Sequence, residues 1–366
     1  MAPRIEQQSD LRFMREALAQ AAGVLGRTSP NPAVGCVIVK QGRVIARAAT
    51  APGGRPHAEP QAIAIAGKRV AAATAYVSFE PCAHFGHTPP CADALIAAGI
   101  KRAVVGCLDP YPPVRGRGVA KLRRAGIAVD VGLLEEECRQ LNEGFITRIT
   151  KRRPFVLLKL ALSLDGRIAA PQPGGWISSQ QSRELAHRWR NECDAVMVGA
   201  GTVIADNPRL TCRLEGGRDP MRIVVDAKLR TSPDARVYHL RSTAPSILVT
   251  IRENEKRAQQ RYAYSKVEII AVRGTSEGVD LRALMRDLGA RGWSKVLLEG
   301  GAHLAAAALR ARVVDRVAFF VAPMIFGAGT PAVEGLPTVR VSDGIELTNL
   351  RARQIGTDWL LEGEPR

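Results

Sequence analysis

The reading turns on two short stretches, His57-Ala58-Glu59 and Pro81-Cys82-Ala83-His84-Phe85-Gly86-His87-Thr88-Pro89-Pro90-Cys91. One imidazole and two thiols, His57, Cys82 and Cys91, form a three-ligand set suited to Zn²⁺. A three-ligand set leaves the fourth tetrahedral position open, which marks a catalytic rather than a structural metal. Glu59 is then the carboxylate beside that position, free to accept a proton and return it. His57 and Glu59 fall at the start of an Ala/Ile-rich helix over 58–66, where a first-turn Pro60 loses no helical hydrogen bond. Cys82 is expected to follow a strand and open the next helix, whose N–H groups favour a thiolate.

Outward from these stretches the pattern alternates. A helix is expected from Asp10, as cap, to about Leu25, with Leu11, Met14, Leu18 and Ala22 on one face. Strands are expected at 34–39 and 44–49 around a Gln41-Gly42 turn, then at 75–79 and 103–107, with a helix at 91–98 between the last two. A second series begins near Pro154. Its expected strands are 155–161, 195–198, 222–225, 246–249, 296–299 and 316–321, with helices at 179–191 and 301–310. Such alternation argues for layered α/β domains. A polar, basic stretch at 142–153 separates the two series, giving domains 1–150 and 151–366.

Composition limits the function classes. The chain has 366 residues, 46% of them hydrophobic and 24% charged, enough for two buried cores. No apolar run is long enough for a membrane helix, and MAPRIEQQSD lacks the apolar segment of an export signal, so a cytoplasmic, membrane-free protein is expected. Seven cysteines, an odd number, argue against a disulfide framework; Cys36, Cys107, Cys138, Cys193 and Cys212 read as structural. The formal charge of +17 suits phosphorylated small molecules or nucleic acid and does not choose between them.

The order H-x-E, then P-C, then a further Cys is the signature of zinc-dependent deaminases, in which the Glu is not a ligand. The eight-residue insert between Cys82 and Cys91 is longer than in nucleoside and tRNA deaminases. It resembles the pyrimidine deaminase of riboflavin biosynthesis, as do Pro30-Asn31-Pro32-Ala33-Val34-Gly35-Cys36 and Asp109-Pro110 with Gly116-Arg117-Gly118. The second half, with Lys159-Leu160-Ala161-Leu162-Ser163-Leu164-Asp165-Gly166-Arg167, Trp176-Ile177-Ser178, Gly199-Ala200-Gly201-Thr202-Val203, Asp206-Asn207-Pro208-Arg209-Leu210-Thr211 and Leu298-Glu299-Gly300-Gly301, resembles the reductase half of the bifunctional riboflavin enzymes. The resemblance covers roughly residues 10 to 362.

The resemblance implies a cytidine-deaminase-like α/β/α domain followed by a dihydrofolate-reductase-like α/β domain. It implies two reactions: zinc-dependent deamination of 2,5-diamino-6-ribosylamino-4(3H)-pyrimidinone 5′-phosphate, then NADPH-dependent reduction of the ribosyl group to a ribityl chain. Asn31, His84 and Asp109 are implied as deaminase substrate contacts. Ala161, Trp176, Thr202, Asp206 and Gly301 are implied for NADPH. Lys159, Gly174, Arg190, Leu210, Arg213 and Glu299 are implied for the reductase substrate, with Arg190 and Arg213 suited to its phosphate because guanidinium groups bind phosphate oxygens in pairs. A homo-oligomer is expected, and neither a nucleic-acid nor a membrane partner. Three positions depart from the family: Tyr111 replaces Asn, His87 replaces Arg or Lys, and Pro60 replaces an aliphatic residue. Two alternatives stay open: a tRNA or nucleoside deaminase with a basic extension, and a non-catalytic zinc module binding nucleic acid.

Overall fold

A computed structural model of the chain describes residues 2–86, 88–172, 174–337 and 340–366, with side chains from residue 8 onward. The chain divides into two compact units, Met1–Arg152 and Arg153–Arg366.

The first unit contains α1 (Ala2–Ala22), β1 (Gly35–Lys40), β2 (Arg43–Ala49), α2 (Ala58–Ala66), β3 (Thr74–Val77), α3 (Cys91–Ala97), β4 (Arg102–Val105), α4 (Arg117–Arg124), β5 (Ala128–Val131), α5 (Glu135–Leu141) and α6 (Glu143–Lys151). Its sheet runs β2-β1-β3-β4-β5. The β1–β2 and β1–β3 pairs are antiparallel, and the β3–β4 and β4–β5 pairs are parallel. The β1–β2 turn holds Gln41 and Gly42 at φ of 50° and 71°, the left-handed pair that a two-residue hairpin needs. Helix α1 packs so closely on β1 that a Cβ on Gly35 would stand 1.9 Å from the Ala17 carbonyl oxygen. The core joins Phe13, Met14 and Ala17 of α1 to Val37 and Ile38 of β1 and Ala58 and Ala62 of α2.

Two expectations change here. Asp10 is not a helix cap: it lies within α1 and pairs with Arg102 at 2.7 Å, while Tyr76 donates to it at 2.5 Å. The polar stretch 142–153 is no bare linker. Residues 143–151 form α6, which buries Phe145, and Asn142 exchanges two hydrogen bonds with Ala33.

The second unit contains β6 (Phe155–Ser163), β7 (Arg167–Ala169), α7 (Gln180–Glu192), β8 (Ala195–Gly199), α8 (Ala200–Asp206), β9 (Met221–Val225), β10 (Ser246–Ile251), α9 (Glu255–Arg261), β11 (Val267–Val272), β12 (Gly274–Thr275), β13 (Gly278–Val279), α10 (Leu281–Ala290), β14 (Lys295–Leu298), α11 (Ala302–Arg310), β15 (Arg316–Ala322), β16 (Thr330–Pro331), β17 (Leu347–Ile355) and β18 (Asp358–Pro365). The main sheet runs β11-β10-β9-β8-β14-β6-β15-β18-β17. It is parallel from β11 to β15, and β18 and β17 close it antiparallel. Strand β6 explains its own continuous apolar run. Val156, Leu158, Leu160 and Leu162 face one core, while Phe155 and Leu157 face another. The sheet extends further than the sequence pattern suggested: β11 adds a short apolar strand at one edge, and the β17–β18 pair at the other carries too many polar residues to stand out. No helix among the described residues is long and apolar enough to cross a membrane.

Candidate metal centre and second-domain site

His57 is the N-cap of α2, but its ring caps nothing. It turns instead to the two cysteines: Nδ1 lies 3.2 Å from Cys91 Sγ and 3.7 Å from Cys82 Sγ. The three donor atoms lie within 4.8 Å of one another. A tetrahedral zinc with bonds of about 2.0–2.3 Å asks for donors about 3.5 Å apart, so the trio fits the ion. Cys82 does not open a helix, contrary to expectation. Cys91 does, as the first residue of α3, and its backbone N–H donates to Cys82 Sγ at 3.2 Å. Helix α3 thus polarises Cys82 from across the insert.

The thiols are unequal. Hydrogen bonds from Cys91 and His57 pull Cys82 down to about 4 against the cost of burial, whereas Cys91 is pushed up. Glu59, in the first turn of α2, is 3% exposed. Burial, reinforced by the Cys82 charge, pushes its carboxyl up to about 7. It can therefore hold or release a proton near neutrality.

Behind the trio stands Glu80, which the sequence reading passed over. Its Oε2 accepts from the N–H groups of Asp109 and Gly116, and its Oε1 from those of Gly118 and Val119. One buried carboxylate thus ties the segment before Pro81-Cys82 to the loop carrying Asp109. The signal was a lone Glu beside the motif, with Gly116 and Gly118 downstream. Gly118 is required by space, because a Cβ there would stand 1.9 Å from the Pro81 carbonyl oxygen.

A cavity of about 320 Å³ opens onto His57, Glu59 and Cys82 and is also lined by Asn31, His84 and Asp109. Asn31 donates its amide to the Gly54 carbonyl at 2.9 Å, leaving its Oδ1 for a ligand. Asp109 is 6% exposed, and burial pushes its carboxyl up to about 7. His84 meets Tyr111 edge-on, ring centres 5.8 Å apart, so both family-contrasting and family-like positions line one wall. His87 lies outside the described residues. Arg55, Phe145 and Arg148 also line the cavity, and none had been singled out from sequence.

In the second unit, Lys159 stands in β6, Arg190 in α7 and Glu299 just past β14. Arg190 lays its guanidinium on Glu299 through Nε and Nη2, at 2.6 and 2.7 Å, and donates Nη1 to the Thr211 carbonyl. Its fork faces a carboxylate. Lys159 lies 5.8 Å above the Phe320 ring, and burial pushes its ammonium down from the ordinary value. Arg213 is exposed, Leu210 is buried at φ 56°, and Gly174 is exposed in the loop before α7. His187, one turn before Arg190, was missed. Its Nδ1 is buried without a partner, and burial together with Arg190 and Arg213 pushes it down to about 4.

The residues implied for the dinucleotide spread over neighbouring strand ends. Thr202 lies in the first turn of α8 and Gly301 caps α11, and a Cβ on Gly301 would stand 3.4 Å from Thr202 Oγ1. Ala161 lies in β6, Asp206 ends α8, and Trp176 is 68% exposed with Arg183 stacked at 4.9 Å.

Fold and site together define a deaminase domain carrying a His-Cys-Cys metal centre, followed by an α/β reductase domain. The model of the cytidine and deoxycytidylate deaminase zinc-binding region matches residues 7–107, and that of the RibD C-terminal domain matches residues 154–361. The chain belongs to the RibD family, bifunctional deaminase–reductases of riboflavin biosynthesis. It is 40% identical to the riboflavin biosynthesis protein RibD of Aquifex aeolicus, over 96% of this chain and 97% of that protein. It is 36% identical to RibD of Escherichia coli, over 96% and 98%. A crystal structure from Thermotoga maritima, described as a diaminohydroxyphosphoribosylaminopyrimidine deaminase/5-amino-6-(5-phosphoribosylamino)uracil reductase, superposes with a TM-score of 0.87. That protein is 39% identical, with 99% of this chain and 100% of that chain covered. The tRNA-deaminase and nucleic-acid-module readings are not favoured by these relatives.

Proposed function

We propose that the first unit hydrolyses the ring amine of 2,5-diamino-6-ribosylamino-4(3H)-pyrimidinone 5′-phosphate and that the second reduces the ribosyl group to give 5-amino-6-ribitylaminouracil 5′-phosphate. The observation that carries this reading is the His57, Cys82 and Cys91 trio with buried Glu59 beside it. His57, Cys82 and Cys91 would hold one zinc ion per chain, which would supply the Lewis acidity that makes water nucleophilic near neutral pH. Glu59 takes the proton from the attacking water and delivers it to the departing amine, which leaves as ammonia. Asn31 Oδ1 and Asp109 orient the pyrimidine by accepting its N–H groups, and His84 closes the wall beside them. In the second unit, bound NADPH would supply the hydride that reduces the ribosyl group at C1′. Ala161, Trp176, Thr202, Asp206 and Gly301 would hold it, with the Gly301 turn suited to present backbone N–H groups to a phosphate. Lys159 and Glu299 face the ribosyl group, with Gly174, Leu210 and Arg213 around it. Arg190 acts by holding Glu299. The enzyme works as a cytoplasmic homo-oligomer on small molecules alone.

The test supplies purified protein with the diaminopyrimidine phosphate. Ammonia release without NADPH is expected, followed by NADPH oxidation once the cofactor is added. Metal analysis should find one zinc per chain, lost in Cys91→Ala. No ammonia from zinc-loaded protein would overturn the deaminase assignment.

A further inference from the structure

We propose that Arg55 receives the 5′-phosphate of the deaminase substrate, at a subsite formed with His84 and Thr88 around Gly86. The inference rests on the substrate class proposed above and adds the residue that reads its anionic end.

The cavity is electrostatically polarised. Its inner wall carries Glu59, Glu80 and Asp109, all buried. Glu80 is already bound by four backbone N–H groups. A phosphate dianion is repelled from that wall and needs a cation elsewhere on the lining. Arg55 and Arg148 are the lining residues that carry a permanent positive charge. Arg148 is engaged: it donates Nη2 to the Pro30 carbonyl at 2.5 Å and stacks over Phe145 at 5.5 Å. Arg55 is half-buried, and its guanidinium donates to a neutral hydroxyl, Thr88 Oγ1, at 3.3 Å. No carboxylate is paired with it among the described ion pairs.

Gly86 lies where Arg55 and His84 approach each other. A Cβ built on it would stand 3.6 Å from Arg55 Nη2 and 3.8 Å from His84 Nε2. Gly86 is absent from the residues of positive φ, so its backbone does not require glycine. A Cβ there would make only ordinary contacts, so Gly86 marks the point on which a guanidinium and an imidazole converge without being required there. A guanidinium, an imidazole and a hydroxyl around one open point are the donors that bind phosphate oxygens. The same short segment carries Arg55 and His57, so it sets both the anion end and the reacting end of the ligand.

The test compares kcat/KM for ammonia release from the phosphorylated pyrimidine and from its dephosphorylated form, using the zinc-loaded full chain. The wild type should favour the phosphorylated substrate, and Arg55→Ala should lower that preference about tenfold or more, the usual loss for a charge-assisted hydrogen bond. The loss should appear in KM rather than kcat. Arg55→Lys should restore part of it, and Arg43→Ala, on exposed β2, should leave the preference unchanged. An equal fall for both substrates in Arg55→Ala, or an equal loss of preference in Arg43→Ala, would overturn the assignment. A wild type that deaminates neither compound would sink the underlying reading, and this subsite with it.

Discussion

Arg190 and Glu299, 109 positions apart in the chain, are joined by two near-parallel hydrogen bonds, Nε to Oε1 at 2.6 Å and Nη2 to Oε2 at 2.7 Å. Both side chains are largely buried, at 13% and 11% exposure. The pair locks α7 to the end of β14, beside Lys159.

Removing one member leaves a buried charge without compensation. Arg190→Ala should cost about 3–5 kcal/mol, and Arg190→Lys should recover little, because an ammonium cannot match the two-point geometry. Burial raises the Glu299 carboxyl, but the Arg190 charge and hydrogen bonds, with Lys159, prevail and hold it at about 2 rather than 4.5. A depressed folded-state pKa stabilises above the unfolded value and fades below it. The pair's contribution should thus be complete above about pH 5 and erode as pH falls toward 2. Urea midpoints of wild type and Arg190→Ala across that range should converge at the acid end; a constant gap would refute the argument.

Glu80 holds four backbone N–H groups of the loop that carries Asp109. Glu80→Ala strands them, at about 1–3 kcal/mol for each that finds no water. Ammonia release should collapse and limited proteolysis should cut near residues 109–118, while NADPH oxidation by the second unit persists when the deaminated intermediate is supplied directly. Unchanged deamination would show that the loop is held by other means.

Glu59→Gln keeps the shape of the side chain and removes its basicity. Deamination should fall by about 10²–10⁴-fold, with zinc content as in the wild type and NADPH oxidation unchanged on supplied deaminated intermediate. Loss of the metal in this variant would place Glu59 among the ligands instead.

Gly118→Ala puts a Cβ 1.9 Å from the Pro81 carbonyl oxygen, next to Cys82. The backbone must shift, at about 1–3 kcal/mol for an overpacked site. A lowered thermal midpoint together with weaker zinc retention on chelator challenge is the expected pair of readouts. Wild-type values for both would show that the contact relaxes freely.

His57, Glu59, Cys82 and Cys91 were legible because the chemistry of a catalytic zinc restricts the residue types and their order. Parallel strands β6, β8, β9, β10, β14 and β15 were legible too: a strand buried on both faces must be apolar along its whole length, as Phe155–Ser163 nearly is. By itself, the sequence therefore determined the ligand trio, the α/β alternation and the family likeness. The tertiary structure decided what those residues lean on. Glu80 became an anchor when folding brought it to Gly118, 38 positions away. The stretch after Asn142 became a cavity wall once α6 packed there, and Glu299 became the carboxylate on which the Arg190 fork rests. The reason is physical. Periodicity and ligand chemistry act over a few neighbouring residues, whereas the partner of a buried charge is chosen by whichever polar group the finished fold delivers to it.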